Sequence, residues 1–452
     1  MTTYDVIVLG AGPAGEVCAG RLAGAGLRVA VVEEHLVGGE CSFYACIPSK
    51  ALLHPAQAVA EAKRTAGVRA EELDVAAVLA FRDEAVNGLD DSGQVPWLED
   101  QGITVLRGTA RLDGERRVRV GDEVLTAERA VVLATCSTAT LPDQIEGLRE
   151  AGPWTNREAT TATSVPRSLL VLGGGPVGSE LAQAWCSLGS AVTLVEGGER
   201  ILGREEPFAS AEVEEALRAD GVAVHTGVHV TRVTRAEDRR IHATLEDGSV
   251  LFADELLVAL GRTPNTTDLG LEAVGLDGGG APVEVDEHLR ALPWLYAIGD
   301  VNGRAPFTHQ GKEQARCAAD HVLGREHCRP LLDAGRSPRV TFTEPQVAAV
   351  GHTEQAARDA GIDVRVAEAD VNDTAGSLYG GSGVAGRCKL VVDARRDVLV
   401  GATFTGAGVD AMLHAATVAV AGEVPLHVLR HAVPAFPTRS EVWLQLWDAL
   451  DA

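Results

Sequence analysis

Apolar positions along the chain fall into short unbroken runs separated by glycine turns and Ala-rich helical stretches. Residues 4 to 33, YDVIVLGAGPAGEVCAGRLAGAGLRVAVVE, read as a buried strand, a glycine turn, a helix, and a second strand closing on an acid. Residues 168 to 196, SLLVLGGGPVGSELAQAWCSLGSAVTLVE, repeat that order. Runs of this kind suit strands covered on both faces, and their alternation with helices predicts an α/β fold. RAVVLATCS (129 to 137), ELLVALGR (255 to 262) and WLYAIGDVNG (294 to 303) are further buried strands ending in turns. Past residue 336 the pattern becomes strand, turn, strand in RVTFTEPQVAAVGHTE and KLVVDARRDVLVGATF, then helices. That stretch predicts a separate α+β domain, joined through LLDAGRSP.

The glycines sharpen the picture. Gly10, Gly12 and Gly15 precede Glu33, and Gly173, Gly175 and Gly178 precede Glu196, with each acid 23 positions after its first glycine. The first glycine permits the tight turn, the second lets backbone approach a pyrophosphate, and the third lets helix and strand pack closely. The pyrophosphate then faces a helix N-terminus, and the acid accepts ribose hydroxyls. Found twice with strand before and helix after, the pattern predicts two bound dinucleotides. Asp300 ends another buried strand and can reach a cofactor lying across the strand ends.

Charge removes other classes. The 452 residues carry 64 acidic and 40 basic side chains, a net −24, which disfavours nucleic acid and anionic membrane as partners. MTTYDVIVLG enters a strand without a basic leader and no apolar stretch approaches a membrane span, so a soluble cytoplasmic protein is expected. Eight cysteines in such a chain suit buried thiols, metal ligands or catalytic groups better than a disulfide framework. Cys41 and Cys46, in GGECSFYACIPSK (38 to 50), fit a structural disulfide, a metal clip or a redox centre on their own.

Taken in order, the N-terminal fingerprint, GGxCxxxxCIPSK, the second fingerprint, AIGD and PTxSE resemble the class I pyridine nucleotide-disulfide oxidoreductases. That group includes dihydrolipoamide dehydrogenase, glutathione reductase and mercuric reductase. The resemblance implies a glutathione reductase-like architecture of two Rossmann-like domains and a C-terminal α+β dimerisation domain. Residues 1–150 and 284–335 would form the FAD domain, 151–283 the NAD(P) domain, and 336–452 the interface of a homodimer. FAD would contact Gly10, Gly12, Pro13, Ala14, Gly15, Glu33, Gly39, Glu40, Ala110, Thr135, Asp300 and Thr308. The nicotinamide nucleotide would contact Gly173, Gly175, Gly178, Glu196 and Gly261. Cys41 would be the interchange thiol and Cys46 the charge-transfer thiol, with Lys50 and Glu180 paired near the reactive nitrogen of the flavin.

With that family in view the redox centre is favoured. A metal clip needs further ligands, and no second cysteine pair of matching spacing exists. A structural bridge closing so short a loop would stabilise little. A helix N-terminus and the charge of Lys50 would stabilise a thiolate. Glu196 repels a 2′-phosphate and points to NADH over NADPH, although Arg200 and Arg204 follow it.

The pattern breaks near the C-terminus. In PAFPTRSE (434 to 441), Phe436 stands where the family has a catalytic histidine, while Pro437, Thr438 and Glu441 are retained. General acid-base help is typically worth about 10² to 10⁴ in rate, and phenylalanine supplies none. Glu40, Ala45 and Cys136 replace Thr, Gly and Gly, Pro176 occupies the nicotinamide gate, and Phe43 and Tyr44 crowd the cysteine loop on the substrate side. His427 and His431 fall at i and i+4 and read as ordinary helix histidines, with a substitute base or metal pair as alternatives. Cys18, Cys186, Cys317, Cys328 and Cys388 read as isolated buried thiols, and no metal is expected. The leading expectation is an FAD-dependent NAD(P)H oxidoreductase passing electrons through Cys41 and Cys46 to a dithiol or disulfide substrate. Direct quinone reduction of diaphorase type is the alternative enzyme, and a flavin-bound redox sensor without turnover the alternative of another class.

Overall fold

Five parallel strands form the middle of the first sheet in a computed structural model that describes residues 2–325, 328–380 and 386–452. Thr2–Leu9 runs between Val29–Glu33 and Glu123–Leu133, flanked outside by Ile103–Arg107 and Leu295–Ala297. Leu9 is level with both Val32 and Leu133, so the turns that follow these strands open at one edge. Antiparallel strands Arg290–Leu292, Arg117–Val120 and Ala110–Leu112 complete the sheet. Side chains alternate across it. Val6 and Val8 join Cys18, Ala19 and Leu22 of helix Pro13–Gly24 and Ala315 and Ala318 of helix Thr308–Val322. Ile7 and Leu9 face the other way, toward Leu125 and Leu295. Burial on both faces explains why these strands lack polar alternation.

A second parallel sheet has the order Ala223–Thr226, Ala191–Glu196, Ser168–Leu172, Glu255–Val258. Leu169 and Val171 pack on a helical side with Leu181, Trp185 and Leu217. Leu170 and Leu172 pack with Val233, Ile241 and Ala253 of a three-stranded antiparallel sheet. The C-terminal part is a five-stranded antiparallel sheet, Arg339–Thr341, Gln346–Gly351, Val398–Gly406, Arg387–Asp393 and Val364–Asp370, with helices Asp410–Ala421 and Val442–Asp451.

Contacts group the chain into two units, Met1–Pro48 with Arg82–Ala139 and Arg262–Ala334, and Ser49–Phe81 with Thr140–Gly261 and Gly335–Ala452. The chain passes between the units after Pro48, Phe81, Ala139, Gly261 and Ala334, the last inside LLDAGRSP. Among the described residues no helix is long and apolar enough to cross a membrane.

Candidate functional site

The two glycine turns have the same geometry. Gly10 has φ +101°, and a Cβ there would overlap the carbonyl oxygen of Ala134. Gly173 has φ +103° and the same conflict with Ala259. A Cβ at Gly15 would strike the Gly10 carbonyl, and one at Gly178 the Gly173 carbonyl, so each third glycine is fixed by its first. Gly12 and Gly175 are the N-caps of Pro13–Gly24 and Pro176–Ser187, and neither helix has a side-chain cap. Around Gly175 the space is open to 4 Å, and Gly12 has only Gly39 Cα at 4.0 Å. Uncapped amides facing open space at a helix N-terminus suit a phosphate group. Ala14 lies in the first turn behind Pro13.

The acids brace these loops. Glu33 accepts the amides of Ala11 at 2.7 Å and His35 at 2.8 Å. Glu196 accepts those of Gly174 at 2.6 Å and Gly198 at 2.7 Å. Each carboxylate oxygen retains a lone pair that a ribose hydroxyl can use.

In the first unit the glycine pair Gly38 and Gly39, both at positive φ, leads into the short helix Gly39–Phe43. A Cβ on Gly39 would sit 2.7 Å from Gly12 Cα, which seats this turn on the first glycine loop. Cys41 follows in that helix, and Cys46 opens helix Cys46–Arg64. Both are thiols, hydrogen-bonded to each other. Cys46 Sγ lies 3.5 Å from Thr308 Oγ1. The Cys41 thiol is pushed well up, first by its hydrogen bond to Cys46 and then by burial, while Thr308 and Lys312 pull the other way. Lys312, one turn past Thr308, is the cation acting on Cys41, and a charge on Cys46 would make Cys41 hold its proton.

Asp300 is tied into a network at the same sheet edge. Ser137 Oγ donates to Asp300 Oδ2 at 2.5 Å, and Arg262 Nε donates to Ser137 Oγ at 2.7 Å. Arg262 also lies 3.8 Å from Glu40 and 3.9 Å from Asp300. Cys136 adopts φ +63°, a region that favours glycine, and burial followed by the charge of Asp300 raises its thiol to about 11. Thr135 Oγ1 donates to the Asn265 carbonyl at 2.9 Å, and Asn265 Nδ2 donates back to the Thr135 carbonyl at 2.8 Å. Ala110 is half-buried at the start of Ala110–Leu112, two residues past Gly108, whose amide donates to the Glu33 carbonyl at 3.0 Å. Gln314 Oε1 accepts the Gly299 amide at 2.8 Å, and its buried Nε2 has no hydrogen-bond partner among the described residues. Tyr44 is half-buried, its ring 6.5 Å from that of Phe43. Sequence reading passed over Lys312, Ser137 and Arg262, although the last two end quoted strand runs.

In the second unit Lys50 Nζ donates to Glu180 Oε2 at 2.7 Å, and Glu180 Oε1 accepts the Phe342 amide at 2.9 Å. The ammonium also lies 4.7 Å from the Phe342 ring centroid. Gly261 has φ +110° and accepts the Thr140 amide at 3.0 Å. Phe436 is 77% exposed. Glu441 accepts the Thr438 amide at 3.3 Å, closing a capping box that shapes the PTRSE turn. His427 and His431 are both exposed.

One cysteine expectation fails. Cys317 and Cys328 are joined by a disulfide, with Cα atoms 4.9 Å apart, whereas Cys18, Cys186 and Cys388 are free. Eleven positions of separation hid the pair, because only the chain's return after helix Thr308–Val322 brings it together.

Comparison with known proteins agrees on one family. Residues 4–321 match the family model described as pyridine nucleotide-disulphide oxidoreductase, and residues 337–446 match its dimerisation domain. The chain is 35% identical over 463 aligned residues to a dihydrolipoyl dehydrogenase of Thermus scotoductus, covering 100% of this chain and 98% of that protein. It is 30% identical to a mercuric reductase of Bacillus cereus, covering 97% of this chain and 70% of that protein. The HOCl-induced flavoprotein disulfide reductase RclA of Escherichia coli superposes with a TM-score of 0.85 at 27% identity, covering 98% of this chain and 99% of that one.

Proposed function

The chain belongs to the pyridine nucleotide-disulphide oxidoreductase family, and from that premise we propose a flavin-dependent NAD(P)H oxidoreductase whose Cys41 and Cys46 exchange electrons with a dithiol or disulfide substrate. Members of the family bind FAD and NAD(P)H. The observation that carries the reading is the Cys41 and Cys46 thiol pair beside Thr308, in the unit whose uncapped glycine helix meets the cysteine turn at Gly12 and Gly39. The residues suit both cofactors. Two open helix N-termini at Gly12 and Gly175, two acids with spare lone pairs, and the orphan Gln314 Nε2 behind Gly299 support a dinucleotide at each copy.

FAD is assigned to the segments 1–150 and 284–335, held by the first glycine loop, Glu33 and Asp300, with Glu40, Ala110, Thr135 and Thr308 along the site. The nicotinamide nucleotide is assigned to 151–283, held by the second loop, Glu196 and Gly261. Glu196 favours a free 2′-hydroxyl and hence NADH. Arg200 Nη2 donates to the Gly203 carbonyl at 2.9 Å. The segment 336–452 is assigned to the interface of a homodimer.

Flavin, when bound, supplies two-electron relay between nicotinamide and the cysteines. Each cysteine has a distinct task. With both sulfurs reduced, Cys41 attacks one sulfur of a substrate disulfide and expels the other as a thiolate. Cys46 then attacks the Cys41 sulfur, releasing the second substrate thiol and leaving Cys41 and Cys46 joined. Two electrons have passed to substrate, and the Cys41 and Cys46 protons match the two thiols formed. Thr308 and Lys312 favour the charged form of Cys41 during attack. Glu180 orients Lys50 through their ion pair.

Phe436 offers no proton to the departing thiolate, which favours substrates whose thiols leave without a base. Direct transfer to a quinone is the second reading, supported by this same position, because it needs no base at the sulfurs.

The test is NADH turnover on parallel panels of small disulfides and quinones. Cys41→Ser is expected to lose at least about 10³-fold on disulfides, as for removal of a nucleophile, and to keep its quinone rate. Unchanged disulfide turnover in Cys41→Ser would end the dithiol reading.

A further inference from the structure

Two cysteines outside that chemistry are bonded to each other. Cys317 lies fully buried within helix Thr308–Val322, and Cys328 is half-buried where the chain returns beyond the helix end. A carboxylate oxygen of Glu313, one turn before Cys317, lies within 4.8 Å of both sulfurs. His321, one turn after, places Nε2 2.6 Å from the Cys328 carbonyl oxygen. Its ring also meets His288 edge-on, with centroids 4.5 Å apart. Glu313, Cys317 and His321 thus occupy one stripe of the helix at i, i+4 and i+8, and the returning chain docks on it at Cys328.

We propose that Cys317 and Cys328 form a second, exchangeable thiol–disulfide couple, separate from Cys41 and Cys46, that takes small-molecule disulfides as its oxidant and fastens the returning chain to this helix when oxidised. Cys328 is the more exposed partner and so the sulfur that a solvent-borne disulfide, RSSR, meets first. Its thiolate attacks one sulfur of RSSR, the S–S bond breaks, and RS⁻ leaves and takes up the proton that Cys328 lost. Cys317 then gives up its proton toward the nearby Glu313 carboxylate and attacks the Cys328 sulfur. The second RS⁻ departs and receives that proton. Two cysteine thiols and RSSR become one protein disulfide and two RSH, so the cysteines lose the two electrons the small disulfide gains.

The couple matters because of what the helix supports. Its first residue, Thr308, touches Cys46, and Gln314 holds the Gly299 amide. A bond that closes an 11-position loop at the far end of this helix restricts the unfolded chain and resists local opening only in the oxidised state. The same three donors could hold a thiophilic cation once reduced, but bonded sulfurs have no thiolate to offer.

The test uses the full-length holoprotein incubated with oxidised glutathione, denatured, alkylated and mapped by mass spectrometry. Cys317 and Cys328 are expected in one cross-linked peptide while Cys18 and Cys388 alkylate, and prior dithiothreitol makes all four alkylate. Cys41→Ser is expected to keep this pattern, and Cys328→Ser to lose it. Oxidised wild type should melt roughly 5 °C above its reduced form, a gap absent in Cys328→Ser. Alkylation of both cysteines after oxidised glutathione, or loss of the cross-link in Cys41→Ser, would overturn the proposal. So would stoichiometric zinc in protein purified with zinc that disappears in Cys328→Ser, since that outcome makes the pair a metal site.

Discussion

The two glycine turns share backbone geometry but differ in their surroundings. Gly10 and Gly173 sit at φ +101° and +103°, and each third glycine abuts the carbonyl of its first. Each acid accepts two amides, one from its own glycine loop. The first turn, however, belongs to an eight-stranded sheet, its second glycine faces Gly39 of the cysteine turn, and Asp300, which follows another strand of that sheet, meets Ser137 and Arg262 of a separate two-stranded sheet. The second turn belongs to a four-stranded parallel sheet, and nothing lies within 4 Å of a Cβ at Gly175. The shared glycine-turn geometry is therefore a local property, whereas what surrounds it is set by distant segments.

The sharpest way to separate the copies is to fill their third glycines. Gly15→Val and Gly178→Val each force a side chain into a backbone carbonyl with no space to yield, and overpacking of this kind costs about 1–3 kcal/mol or more. Gly15→Val is expected to purify without flavin. Gly178→Val is expected to keep its flavin and lose more than about 10²-fold in kcat/KM for NADH. Flavin content by absorbance and steady-state titration check the two, and loss of flavin from Gly178→Val would break the division of labour.

Phe436→His probes the smaller effect of a missing base. The surviving Pro437, Thr438 and Glu441 still form the capped turn, so a histidine enters a backbone shaped for it. Disulfide turnover is expected to rise by about 10- to 100-fold, below or at the lower end of usual acid-base gains, with the quinone rate unchanged. An equal rise on both panels would point to access and not proton transfer.

Much of this was legible in the sequence because it rests on local constraints. A glycine needed at positive φ, a helix beginning at the next residues and an acid at the end of the following strand are separated by fixed numbers of residues, and the structure places them as the spacing predicts. The cysteine turn was equally visible. Lys312, Ser137 and Arg262 were not, because a helix far along the chain carries Lys312, and Ser137 and Arg262 meet Asp300 from a two-stranded pairing of segments 125 positions apart. Cys317 and Cys328 looked solitary for a related reason, since their meeting depends on how the chain turns after a helix. The Cys41 thiol shows the limit of motif chemistry. Its motif does not reveal that a second sulfur at hydrogen-bond range and burial push this thiol up against the opposing pull of Thr308 and Lys312.

The smallest expected effect concerns pH. Glu16, in the first turn of the first glycine helix, is raised from 4.5 to about 7, chiefly by burial and opposed by Lys312, with Glu33 adding to the rise. The folded chain therefore holds a proton that the unfolded chain has lost between pH 4.5 and 7. Stability from this group is fully present below about 4.5 and declines as pH rises toward 7. In flavin-free protein Glu16→Gln should remove that decline, worth on the order of 2 kcal/mol across the window. Denaturant unfolding at pH 5 and pH 8 checks it, and an identical slope in both proteins would contradict the assignment.

The central claim is that electrons from a nicotinamide reach Cys41 and Cys46 by way of flavin. Its most direct measurement is an anaerobic NADH titration of the yellow holoprotein followed through the visible spectrum, run beside Cys46→Ser. A long-wavelength band from a sulfur against the flavin is predicted in the wild type and is absent from Cys46→Ser. Simple bleaching of the flavin, alike in both proteins, would contradict the account.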